Sequence, residues 1–167
     1  MKAARRKPTS LAAIRVLALD VDGVLTDGRL YYGPRGEVLK VFHVRDGFGI
    51  RAVQSAGIEV AVISGRRSTM VARRCRDLGI KHVSQGDDDK LPILKRLLKR
   101  LNLSAAQCAF IGDDVVDVPL LETVGLAVAV QDAHSEACRA AHIVTTLPGG
   151  RGAVREVCDA LLAARGA

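Results

Sequence analysis

Tryptophan is absent from this chain, and three phenylalanines and two tyrosines are its whole aromatic content. That argues against a stacking platform for nucleic-acid bases. No apolar run approaches the ~18 residues that a membrane span needs. The basic N-terminus runs into Asp20 and Asp22 without the apolar segment of a secretory leader. Four cysteines, Cys75, Cys108, Cys138 and Cys158, form no C-x-x-C pair and no zinc-like spacing. Cys75 and Cys108 lie among apolar neighbours and read as small core residues. A reducing cytoplasm is therefore the expected compartment. Gly149-Gly150-Arg151-Gly152 lacks the Lys-Ser/Thr of a P-loop. The histidines, His43, His82, His134 and His142, share no spacing that suggests a metal site or a triad.

What remains is a globular composition, with 49% apolar and 26% charged residues in 167. This suits one domain with a real core. The net charge of +7 is concentrated at the head: Lys2, Arg5, Arg6, Lys7 and Arg15 all precede the first acidic residue, Asp20. The rest is nearly balanced, at 20 basic against 18 acidic residues. Residues 1–13 are expected to be a solvated, flexible tail and 14–167 the single domain. Neither a nucleic-acid nor a membrane partner is expected.

Apolar runs at Val16–Leu19, Ile58–Ile63, Cys108–Ile111 and Leu126–Val130 read as buried strands. Shorter strands are expected at Lys81–Val83 and Ile143–Thr145. Strand-like runs at Arg29–Tyr32 and Val38–His43 flank Gly33-Pro34-Arg35-Gly36, a hairpin signal. Helices are expected over Asp46–Ala56, from Ser64-Gly65-Arg66 to about Leu78, over Asp88–Leu101, at Leu120–Thr123 and over Ala153–Ala164. Alternating strands and helices predict an α/β layered domain with a mainly parallel sheet. Ligands of such sheets bind beyond the carboxyl ends of the strands.

The polar motifs fall at those ends. Asp20 and Asp22 follow the first strand in Asp20-Val21-Asp22-Gly23-Val24-Leu25-Thr26-Asp27-Gly28. Side chains alternate along a strand, so two carboxylates two residues apart project towards one site. Asp20 suits a nucleophile that attacks phosphorus and forms an aspartyl-phosphate. Asp22 suits an acid that protonates the leaving oxygen and then activates water. Magnesium prefers hard oxygen ligands, and Asp20, the backbone carbonyl of Asp22, and Asp113 form a ligand set. Asp114 and Asp117 either reach the metal through water or cap the next helix. Ser64 and the backbone after it suit phosphate oxygens, although a serine after a strand is often only a cap. Lys90 is either a fixed cation near the phosphoryl group or a solvated lysine in a first helical turn, where the helix dipole disfavours it. Asp87–Asp89 read as a helix start.

Together, DVDGVLTDG, Ile63-Ser64-Gly65-Arg66, Gln85-Gly86 with Lys90, and Gly112-Asp113-Asp114 with Asp117 resemble the four motifs of haloacid dehalogenase superfamily phosphatases. Within it, Phe42-His43-Val44-Arg45-Asp46-Gly47-Phe48-Gly49-Ile50, Gly125–Val130 and Gly149–Glu156 resemble the 3-deoxy-D-manno-octulosonate 8-phosphate phosphatase family. The resemblance runs from about Val16 to Leu162. It implies a Rossmann-like three-layer core without a cap domain, with Asp20, Asp22, Ser64 and Lys90 catalytic and Asp113 on the metal. It also implies Arg66, Gly150 and Arg151 near a sugar acid phosphate. A homotetramer is implied, in which a neighbour's hairpin and C-terminal tail cover the site. The product would feed lipopolysaccharide synthesis. The short spacing from Asp27 to Ser64, and from Ser64 to Lys90, independently leaves no room for a cap. The rival readings are a sister phosphatase for a nine-carbon sugar acid 9-phosphate, a phosphate-responsive receiver-like module and a nucleic-acid-binding protein.

Overall fold

In a computed structural model of the chain, which describes residues 7–166, six strands form one parallel sheet. They are β1 (Val16–Leu19), β4 (Glu59–Ser64), β5 (His82–Gln85), β6 (Cys108–Gly112), β7 (Leu126–Ala129) and β8 (Ile143–Val144). Their order is β5-β4-β1-β6-β7-β8. The first strand is central and entirely buried, paired with β4 on one side and β6 on the other. A strand covered on both faces needs no polar alternation, which is why Val16-Leu17-Ala18-Leu19 is continuously apolar.

Side-chain alternation divides the core into two layers. Leu17 and Leu19 face α1 (Val44–Ser55), α2 (Thr69–Asp77) and α6 (Ala153–Ala163), packing with Ile50, Val53, Val71, Val154 and Val157. Val16 and Ala18 face α3 (Lys90–Leu101), α4 (Val118–Leu121) and α5 (Ser135–Ala140), packing with Leu94, Leu97, Leu98, Phe110 and Leu120. The expected three-layer, capless core is thus present, with a separate antiparallel hairpin, β2 (Tyr31–Gly33) and β3 (Gly36–Leu39).

Several details differ from expectation. The second hairpin strand stops at Leu39, because Lys40 turns inward and the His43 side chain caps α1 by accepting from the Arg45 N–H. Two glycines inside α1 weaken its intrinsic helicity, but a Cβ at Gly49 would crowd Arg155 and Cys158 of α6. Close helix packing therefore requires glycine there. Helix α5 was not expected; it is short and capped by His134, a poor sequence signal for a start. The head packs earlier than a tail ending at residue 13. The Thr9 N–H donates to Gly125 O at 2.8 Å, and Leu11 lies against the core in a 3₁₀ turn. The Lys2, Arg5 and Arg6 part of that head lies outside the described residues. Beyond Gly149 the chain enters α6, whose Val154, Val157, Cys158 and Leu161 are buried in its own core.

Candidate active site

The ends of three adjacent strands make the site. Leu19 is in register with Val62 of β4 and Ile111 of β6. One step further, Asp20 therefore emerges between Ser64 and the Gly112-Asp113 turn. The sheet order reverses here, since β4 and β6 lie on opposite sides of β1. A cleft opens at such a point. A cavity of about 190 Å³ lies there, and Asp20, Asp22, Ser64, Arg66, Lys90 and Asp113 are in its lining.

Lys90 is not a solvated first-turn lysine. Its Nζ donates to Asp20 Oδ1 at 2.8 Å and to Asp117 Oδ1 at 2.7 Å, and all three side chains are buried. A lysine is rarely buried unless paired. Burial alone would lower its pKa, but Asp20 and Asp117 together raise it, so it stays a cation. Asp20 is pushed up to about 6 by burial and then by Asp117, with Lys90 opposing both. Asp113 rises to about 8 through burial and its neighbours Asp20, Asp117 and Asp114.

Such crowding points to a cation. One oxygen each from Asp20, Asp113 and Asp117 lie within 4.8 Å of one another. Hard carboxylate oxygens at this spacing suit magnesium. Gly23, at φ +91°, adds a second constraint, because a Cβ there would fall on the Asp113 carboxylate. The turn after Asp22 must be glycine to admit the acidic cluster. Of the two expected auxiliary carboxylates, Asp114 caps the following 3₁₀ turn, while Asp117 bonds back to the preceding turn. Asp114 Oδ1 accepts from Val115 N–H, and Asp117 Oδ2 accepts from Asp113 N–H at 3.0 Å. Asp117 thus orients the Asp113 turn while its other oxygen holds Lys90.

Ser64 is buried at the end of β4, and its Oγ accepts from the Arg66 N–H at 3.3 Å. It is not a helix cap, because α2 starts after Ser68. Arg66 is half-exposed at the rim, 3.8 Å from Asp22 Oδ2 and 3.3 Å from the Tyr32 hydroxyl. Gly150 and Arg151 brace the loop after β1. The Gly150 N–H donates to Val24 O at 2.9 Å, and Arg151 pairs with Asp27 at 3.7 Å. A Cβ on Gly149 would collide with Gly23 O, so this strap presses on the loop bearing Asp22.

Sequence reasoning missed Lys40 and Glu37. The buried Lys40 ammonium bonds to Asp22 Oδ1 and lies 3.0 Å from Glu37 Oε1. No local pattern marks these residues, because the hairpin must fold back over β1 before they meet Asp22.

Residues 81–154 match the haloacid dehalogenase-like hydrolase family. The 3-deoxy-D-manno-octulosonate 8-phosphate phosphatase of Escherichia coli K12 is 53% identical over 153 residues, covering 92% of this chain and 81% of that protein. The crystal structure of the Yersinia pestis phosphatase of the same name has a TM-score of 0.92 and 50% identity, with 94% of this chain and 85% of that one covered. A Moraxella catarrhalis phosphatase of that name, in complex with a magnesium ion, a phosphate ion and a KDO molecule, has a TM-score of 0.92 and 41% identity, covering 94% and 90%.

Proposed function

The chain belongs to the 3-deoxy-D-manno-octulosonate 8-phosphate phosphatase family of haloacid dehalogenase-like hydrolases, and we propose that it hydrolyses that sugar acid phosphate to the free sugar acid and phosphate. The observation that carries this reading is the meeting of Asp20, Asp22 and Asp113 at neighbouring strand ends beside buried Lys90. In the first step an Asp20 oxygen bonds to phosphorus as the bond to the sugar oxygen breaks, and Asp22 gives that oxygen a proton. In the second step Asp22 takes a proton from water as it attacks the aspartyl-phosphate, releasing phosphate and restoring Asp20. Lys90 keeps Asp20 ionised, and Ser64 with the following backbone N–H groups holds phosphoryl oxygens. Asp20, Asp113 and the Asp22 carbonyl hold magnesium, with Asp117 behind them. When bound, the ion neutralises charge on the phosphoryl oxygens. Arg66 meets the acidic sugar at the rim, where its planar fork suits a carboxylate.

The relatives carry the eight-carbon name, which sets this substrate ahead of a nine-carbon sugar acid 9-phosphate. The product serves lipopolysaccharide precursor synthesis. Cys75, Cys108 and Cys158 are buried thiols outside any disulfide, which supports a cytoplasmic setting. Large apolar side chains are exposed in the hairpin region, at Tyr32, Val38, Leu39 and Val41, and on α1, at Val44 and Phe48, which supports association into a homotetramer. Phosphate release from the eight-carbon substrate should require magnesium, stop in EDTA and vanish in a folded Asp20→Asn variant. Turnover by pure Asp20→Asn refutes the mechanism, and a light-scattering mass of one subunit refutes the tetramer.

A further inference from the structure

An acid that must deliver a proton has to be held in one direction, and Asp22 is not held by the cluster that fixes Asp20. Lys90 and Asp117 make no hydrogen bond to it. Its restraint comes from the hairpin. The Lys40 ammonium bonds to Asp22 Oδ1 and is braced from behind by Glu37 Oε1 at 3.0 Å. The Lys40 side chain is only 1% exposed, although its chain neighbours Leu39 and Val41 are exposed. Arg66 closes the ring loosely, at 3.8 Å from Asp22 Oδ2 and 3.7 Å from Glu37 Oε1, and is 43% exposed. The two cations beside Asp22 are thus unlike. Lys40 is enclosed and fixed, whereas Arg66 stands at the rim, open to an incoming anion.

We propose that Lys40 is a positioning residue for the acid–base step, pinning Asp22 Oδ1 so that Oδ2 faces the cavity and carries the proton. This rests on the phosphatase reading above, and on Asp22 as its acid. It also makes the hairpin part of the catalytic apparatus in its own subunit, because Lys40 and Glu37 are the residues that tie the ribbon to Asp22. A free carboxylate would sample several rotamers, and a misplacement of about 1 Å can cost about 10²-fold in rate.

The test is a cycle of Lys40→Met, Asp22→Asn and the double variant. Single-turnover phosphorylation is measured with the sugar acid phosphate and with p-nitrophenyl phosphate, whose leaving group needs no proton. Lys40→Met should slow the sugar substrate by about 10–100-fold with KM little changed, and affect p-nitrophenyl phosphate much less. In the Asp22→Asn background it should add almost nothing, because a residue acting through another is not additive with it. Should Lys40→Met misfold because Glu37 loses its buried partner, Lys40→Met with Glu37→Gln removes that charge and replaces it in the cycle. Equal losses on both substrates, or losses that multiply in the double variant, overturn the positioning role while leaving Asp22 as the acid. Absence of leaving-group selectivity in Asp22→Asn itself instead overturns the acid assignment, and the role of Lys40 falls with it.

Discussion

Replacing Lys90 by methionine removes the one ammonium bonded to both Asp20 and Asp117 while keeping a chain of similar length. Both carboxylates are buried, and both bond to Lys90 at hydrogen-bond distance. Removing one partner of a buried pair leaves uncompensated charge and typically costs about 3–5 kcal/mol. For a domain of this size each kcal/mol shifts Tm by about 2–4 °C, so the two ranges multiply to a fall of about 6–20 °C. The loss should be greatest near pH 8 in EDTA, where Asp20 is ionised. It should shrink near pH 5, because Asp20 already titrates near 6 in the intact protein and rises further without its cation. A second substitution, Asp117→Asn, removes one stranded charge and should return part of the stability without returning activity. Thermal melts followed by circular dichroism at the two pH values are sufficient. A Lys90→Met protein within about 1 kcal/mol of the parent at pH 8, well below the 3–5 kcal/mol expected, would refute the claim that this lysine holds the acidic cluster together.

Metal-free stability should fall as pH rises. Asp20 and Asp113 have folded values of about 6 and about 8, above the ordinary 3.8, so the folded state holds their protons more tightly. That contribution is complete below the unfolded value and is lost as pH climbs through 6 to 8. Melts in EDTA at pH 5, 7 and 8.5 should show this decline and saturating magnesium should flatten it; a Tm in EDTA that rises with pH overturns the linkage. Gly23→Ala should weaken magnesium binding by about 10–100-fold, the scale for disturbing the support of a ligand, because its Cβ falls on Asp113 and its φ is +91°. Calorimetric titration with magnesium alone checks this, and unchanged affinity rejects the packing argument.

The strand ends that form the proposed site were legible because their signals are local. Val16–Leu19 is continuously apolar because both faces are covered, and it stops where Asp20 begins, so strand limit and proposed nucleophile come from the same five letters. The acidic turn after β6 is local in the same way. Lys90 was half legible. A lysine at a helix start conflicts with the dipole, which signals a task, but its two partners lie 70 and 27 residues away. The capping of α1 and α5 by histidine escaped notice, because histidine is a weak cap signal beside serine or aspartate. Gly150 and Arg151, read as substrate contacts, also pair with Val24 and Asp27. A glycine-rich strap can serve a ligand and a neighbouring loop together, and only the fold shows the second role. Lys40 carries the same lesson further. In sequence it is one lysine in a hairpin arm between exposed Leu39 and Val41, as a solvated ribbon would have it. Its burial follows from the path of the ribbon back across the end of β1, a relation between elements that neither propensity nor periodicity encodes. Sequence motifs therefore mark the groups proposed to touch phosphate, whereas the groups packed behind them are distributed across the hairpin, the acidic turn and the strap, and become visible only when those elements meet.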